Sequence, residues 1–164
     1  MVDPCECPPG AGSATCERRA PTPINACPTN SQPGKRIDTL TVKALLARPL
    51  TDIVASEFFF CRDPDCRTVY YSADGAQLFA EVDLREKVFQ KHPFEDDVFA
   101  CYCFRHTAGA IRSEVHSLGA SSVPDAINAG IQADKCACDI RNPQGSCCLG
   151  NVRFLGKSLQ TARS

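Results

Sequence analysis

The sequence predicts an α+β fold: a small antiparallel sheet with a short helix before it, then a helix–turn–helix and a C-terminal helix. Three observations carry this expectation. Residues 57–84 hold short aromatic and β-branched runs separated by turn signals, the pattern of a hairpin-built sheet. After Cys103 the apolar residues recur at helical spacing. Twelve cysteines in 164 residues supply enough soft donors to tie down the less regular stretches.

Taken in order, residues 1–34 are rich in Pro, Gly, Ser, Thr and Cys, and read as irregular except where a metal orders them. Thr39 or Thr41 is placed to cap a short helix with Val42, Leu45 and Leu46 on one face and Pro49 beyond its end. Glu57–Cys61 and Arg67–Tyr71 read as strands around the tight turn Asp63-Pro64-Asp65. Ser72-Ala73-Asp74-Gly75 is a second turn, and Gln77–Leu84 reads as the returning strand.

Further along, Thr107 is the expected N-cap of a helix carrying Ile111, Val115 and Leu118, with Gly119 at its stop. Ser122 and Pro124 open the next helix, with Val123, Ile127 and Ile131 inward. A third runs from Gly150 to about Thr161 around Val152, Leu155 and Leu159.

The bulk composition narrows the function. Hydrophobic residues make up 43% and charged residues 23%, an ordinary globular balance. A net charge of −1 offers no field to recruit nucleic acid or an anionic membrane. No apolar run reaches the roughly 20 residues needed to span a bilayer. Met1-Val2-Asp3-Pro4-Cys5 has neither the basic nor the apolar stretch of an export signal, so a reducing cytoplasmic location is expected. There disulfides do not persist, and dense cysteines are metal ligands more often than cross-links. No Ser–His–Asp set, phosphate loop or carboxylate pair stands out, so a stand-alone enzyme is not the expectation.

The cysteines fall into three groups: Cys5, Cys7, Cys16 and Cys27; Cys61 and Cys66; and Cys101, Cys103, Cys136, Cys138, Cys147 and Cys148. Cys61 and Cys66 flank a turn between strands, where two sulfurs can converge on one zinc ion, and Cys27 is the best placed further ligand. Packing as free thiols in a small core is the plainer alternative. In the third group, Cys101-Tyr102-Cys103 and Cys147-Cys148 each precede a helix, whose positive N-terminus favours an anionic centre. Ligand count there suits a 2Fe–2S cluster and a zinc ion equally, and a redox thiol pair is a third option.

These residues resemble a known family. Cys101-Tyr102-Cys103-Phe104, Cys136-Ala137-Cys138-Asp139 and Asn142-Pro143-Gln144-Gly145-Ser146-Cys147-Cys148-Leu149-Gly150 look like the cluster-binding half of CopZ-type metallochaperones. That half is similar to the ferredoxin domain associated with bacterioferritin. Cys27-Pro28, Gly34-Lys35, Thr41–Leu46, Phe60-Cys61, Cys66 and Val69-Tyr70-Tyr71 match the same family, so the resemblance spans about residues 27–155.

The resemblance implies an irregular segment over 1–26, a zinc-binding α+β half over 27–97 and a helical 2Fe–2S half over 98–164. Cys101 and Cys103 would be the first cluster pair. The second pair is taken as Cys138 and Cys148, with Cys136 and Cys147 as lesser candidates, since the adjacent pair can turn one sulfur inward. Cys27, Cys61 and Cys66 match the zinc half. Many relatives have a second cysteine shortly after Cys-Pro, where this chain has Asn30, so the fourth zinc ligand stays open among Cys5, Cys7, Cys16, His92 or an aspartate.

The function expected from these residues is redox-active soft-metal (copper) handling or electron transfer, with a redox or metal-transport protein as partner and the surplus cysteines as transient Cu(I) sites. The rivals are a metal-stapled interaction module and an electron-transfer subunit that delivers no metal. Copper delivery is not carried over directly, because the heavy-metal-associated domain with its Cys-x-x-Cys has no match in this sequence.

Overall fold

The computed structural model describes residues 25–162. Its first half is a four-stranded antiparallel sheet in chain order, β1 (Lys35–Ile37), β2 (Phe58–Phe60), β3 (Thr68–Ser72) and β4 (Leu78–Ala80). Helix α1 (Thr39–Leu45) lies between β1 and β2 in the chain. A two-stranded hairpin, β5 (Phe99–Cys101) and β6 (His106–Thr107), opens the second half. Helices α2 (Ala108–Leu118), α3 (Val123–Gln132), α4 (Cys138–Arg141) and α5 (Leu149–Thr161) follow.

Alternation along β2 sets the layers. Phe58 and Phe60 join Val42, Leu45, Leu46, Val69, Tyr70 and Phe79 in a core beneath α1. Phe59, which projects to the other face, packs with Tyr71, Cys27, Cys61 and Cys66. A register shift between Thr68 and Tyr70 explains why neighbours Val69 and Tyr70 share one core. A separate core of Val98, Ala100, Ile111, Val115, Ile127, Val152 and Leu155 holds the helical half together.

Most expected elements are present, with four corrections. Asp38, not Thr39 or Thr41, caps α1: its carboxylate accepts the Leu40 N–H at 2.7 Å, while Thr41 is buried. The returning strand stops at Ala80, because the Asp83 carboxylate accepts the Ala80 N–H at 2.9 Å and closes a 3₁₀ turn over Glu81–Asp83. The C-terminal helix begins at Leu149, one residue before Gly150. β1, the β5–β6 hairpin and α4 were not anticipated. Thr107 does cap α2 through the Ala110 N–H, and Gly119 does end it in the left-handed conformation. No helix of the described residues is long and apolar enough to cross a membrane.

Candidate metal centres

Three loops meet on the outer face of β2 and β3. Cys27 sits in a tight loop closed by its own N–H to the Gln32 carbonyl and by the Ser31 N–H to the Cys27 carbonyl, both 2.8 Å. Cys61 follows β2, and Cys66 ends the Asp63-Pro64-Asp65 turn before β3. Lys91 braces that turn by donating to the Cys66 carbonyl at 2.8 Å and to the Asp63 carbonyl. The three thiols are buried, with ligand atoms all within 4.8 Å of one another and Cys27 and Cys66 3.9 Å apart. Tetrahedral zinc with sulfur at about 2.3 Å sets its ligands about 3.8 Å apart, so Cys27 and Cys66 have the spacing of two corners and Cys61 lies close enough to supply a third.

The surroundings favour thiolates on one side and resist them on the other. Burial pushes Cys27 up, but the N–H groups of Thr29 and Asn30 aimed at its sulfur bring it below the ordinary thiol value. Burial drives Cys61 up to about 11, against an N–H from Asp63 and the charge of Lys91. A divalent cation resolves this conflict by neutralising charges that the pocket cannot carry alone.

The candidate fourth ligands separate clearly. Both ring nitrogens of His92 are engaged, Nε2 with Glu81 at 2.7 Å and Nδ1 with Glu95 at 2.9 Å, so no lone pair faces the triad. The Asp63 carboxylate is held by the Asn30 amide at 2.6 Å and the Asp65 N–H at 3.0 Å. Asn30 itself does face the site: its Nδ2 lies 3.7 Å from the Cys61 sulfur, while its oxygen accepts the Gln32 N–H. Cys5, Cys7 and Cys16 lie outside the described residues.

The second group is built on a different plan. Cys101 ends β5, Cys103 lies in the β5–β6 turn, Cys138 begins α4 and Cys148 immediately precedes α5. The Cys148 S–H meets the Cys101 sulfur at 2.7 Å, and the Cys103 and Cys138 sulfurs are 3.5 Å apart. These are two pairs rather than a single knot, since among the described residues no other set of three such donors lies within 4.8 Å of one another. Cys136 is half-buried and Cys147 exposed.

Backbone N–H groups are turned onto these sulfurs as well. Ala137 donates to Cys103 at 3.3 Å. The Cys148 S–H, helped by the N–H groups of Phe104 and Cys103, holds Cys101 at about 7 against its burial. Burial and the neighbouring Cys103 raise Cys138 to about 12, opposed by the Cys148 N–H. Cys148 goes up because it shares its proton with Cys101 and is itself buried.

Tyr102, which sequence reasoning passed over, fixes the alternation of Cys101 and Cys103. Its hydroxyl accepts the Phe89 N–H at 2.9 Å and donates to the Lys87 carbonyl at 2.7 Å. No motif marks that role. Lys91 was equally invisible, because its partners are backbone carbonyls.

Comparison with known proteins agrees with this geometry in its first half. Residues 24–85 match the CopZ-type family described as a zinc binding domain. Over 130 residues, 79% of the chain, the sequence is 28% identical to the copper chaperone CopZ of Archaeoglobus fulgidus. The match spans only 61% of that protein's length. The X-ray structure of the Archaeoglobus fulgidus CopZ N-terminal domain superposes with a TM-score of 0.67 at 28% identity, covering 80% of this chain and 97% of that one. Residues 24–85 are therefore similar to the CopZ-type zinc binding domain, and the chain is similar in sequence and fold to the N-terminal domain of a copper chaperone.

Proposed function

We propose that the chain handles soft metal ions, copper foremost, using a resident zinc and a resident 2Fe–2S cluster. Zinc is assigned to Cys27, Cys61 and Cys66 with a fourth donor among Cys5, Cys7 and Cys16. The cluster is assigned to Cys101, Cys103, Cys138 and Cys148. The zinc-binding half is taken as 27–97 and the cluster-binding half as 98–164, in a cytoplasmic protein that works with a redox or metal-transport partner.

One observation carries the cluster assignment. The four thiols form two separate pairs, Cys101 with Cys148 and Cys103 with Cys138, where a single tetrahedral ion would draw all four equally close. The donor set fits on chemistry too: four sulfurs, peptide N–H groups aimed at them, and the uncapped N-terminus of α5 beside Cys148. When bound, the cluster supplies a one-electron couple. The protein's part is to hold its four sulfurs as thiolates, to keep water from the buried Cys101 and Cys148, and to leave Cys147 and Cys136 nearer solvent. The last two are the assigned transient Cu(I) donors, since Cu(I) prefers thiolates. Copper as cargo rests on the named activity of the Archaeoglobus fulgidus relative.

Metal analysis with visible and EPR spectroscopy on anaerobically purified protein tests the reading. The expected result is iron and zinc in a two-to-one ratio, with visible absorption bleached by dithionite. A colourless protein with zinc in both centres overturns the cluster assignment. Copper handling is tested separately by Cu(I) titration against a chelator, and binding no tighter in the native chain than in a Cys136→Ser/Cys147→Ser variant removes those donors.

A further inference from the structure

The loop that carries Cys27 also carries Asn30, and Asn30 reaches two of the three sulfurs. Its backbone N–H, with that of Thr29, is aimed at the Cys27 sulfur. Its side-chain Nδ2 lies 3.7 Å from the Cys61 sulfur, within hydrogen-bond reach of so large an acceptor atom. Among the described residues it is the one side chain other than cysteine that donates to a sulfur of the triad.

Neighbouring groups fix the direction of this amide. Asn30 Oδ1 accepts the Gln32 N–H at 3.1 Å, which turns Nδ2 toward the site. Nδ2 carries two hydrogens and has two acceptors, the Asp63 carboxylate at 2.6 Å and the Cys61 sulfur. Asp63 is held in turn by the Asp65 N–H at 3.0 Å. Ser31, next in the chain, has a left-handed φ of +60°, and its N–H closes the loop onto the Cys27 carbonyl at 2.8 Å. A serine keeps that conformation only where its surroundings over-determine it.

The amide answers a need of the sulfur it faces. Cys61 is 2% exposed, so water does not solvate a thiolate there. Three thiolates also carry more negative charge than one zinc ion cancels. Each N–H pointed at such a sulfur offsets part of the lost solvation. The Asp63 backbone supplies one donor to Cys61, and Asn30 supplies a second from across the site.

We propose that Asn30 is a positioning residue of the zinc centre: its amide holds the Cys61 sulfur as a weakly nucleophilic thiolate ligand and docks the Cys27 loop onto the corner that carries Cys61 and Cys66. This role rests on the assignment of zinc to the triad and is independent of which residue supplies the fourth donor.

Site-resolved alkylation of the full-length, zinc-loaded chain with iodoacetamide tests it, read by mass spectrometry at Cys27, Cys61 and Cys66 across a graded series of zinc chelator. In the native chain the three cysteines should stay protected together until the chelator strips the ion. With zinc saturating, Asn30→Ala should raise the initial rate at Cys61 about tenfold, and zinc release should need about 10- to 100-fold less chelator. Cys27 and Cys66 should keep near-native initial rates, because the backbone N–H groups at positions 29 and 30 remain. Asn30→Ser keeps an oxygen for the Gln32 N–H but is too short to reach Cys61, so it should behave as Asn30→Ala does. Native protection in Asn30→Ser, or faster alkylation at Cys27 rather than Cys61 in either variant, overturns the proposal and leaves Asn30 a turn-forming role alone. Absence of zinc protection at all three cysteines of the native chain is a different result: it removes the zinc assignment, and this role with it.

Discussion

Cys147 and Cys148 are chain neighbours in opposite surroundings. Cys148 is buried at 1% exposure with its sulfur 2.7 Å from that of Cys101, while Cys147 is exposed and offers its carbonyl to Gln144. Consecutive residues entering a helix diverge by about a quarter turn, so one of the two sulfurs can face the core and the other cannot. On the proposed assignment, Cys148→Ser should remove most of the visible charge-transfer absorption per chain, and Cys147→Ser should leave it within about 10% of the native value. Matched absorption spectra with iron analysis check this, and equal losses in both variants would reassign the ligand. His92 is held by both ring nitrogens, between Glu81 and Glu95, so the proposed fourth zinc donor is sought first among Cys5, Cys7 and Cys16.

At the scale of elements, the segment between α4 and α5 is moulded to the sheet half by Gly145. Its φ of +61° is left-handed, and a Cβ there would stand 3.0 Å from Ile37 Cγ1 and 3.2 Å from Thr41 Oγ1. Gly145→Ala should therefore cost about 1–3 kcal/mol and lower the unfolding temperature by several degrees. Gly150→Ala, where an added Cβ meets nothing within 4 Å inside a helix, should instead be neutral or stabilising. Differential scanning calorimetry of the two variants decides, and equal shifts would sink the packing argument. Gly145 also shows the limit of what sequence could tell. The longer elements were legible because α2 repeats its apolar residues and carries both its caps, Thr107 and Gly119. β1 and the β5–β6 hairpin have too few residues to show an alternation, and α4 is a single turn. Cysteine spacing placed Cys61 and Cys66 together and position along the chain pointed to Cys27, but the contact of Cys27 with Cys66 across 39 residues is long-range, with no local pattern to mark it.

Across the whole molecule, the two centres are joined through groups with defined partners. Tyr70 lies on β3, on the strand that follows Cys66, and its buried hydroxyl donates to the Pro143 carbonyl at 2.7 Å. Lys35 on β1 holds the Gln144 carbonyl and Ser146 Oγ, two residues before Cys148. Lys91 ties the Cys66 carbonyl to a segment whose neighbours Val88 and Phe89 belong to the sheet core and the helical core respectively. On the proposed assignment, metal at Cys27, Cys61 and Cys66 would fix the β2–β3 corner, and β3 contacts the loop that precedes Cys148 through the Tyr70 hydroxyl. Withdrawing zinc with a chelator that spares the cluster should therefore increase amide hydrogen exchange across residues 142–148 and alter the visible spectrum of the second centre. In Tyr70→Phe, which removes one of these ties, zinc loss should perturb that spectrum less, because part of the coupling is already gone. Mass-spectrometric hydrogen exchange read alongside absorption checks both statements. If exchange rises only around Cys27, Cys61 and Cys66 while 142–148 and the spectrum stay unchanged, the two centres are independent and the contacts between the halves are packing alone.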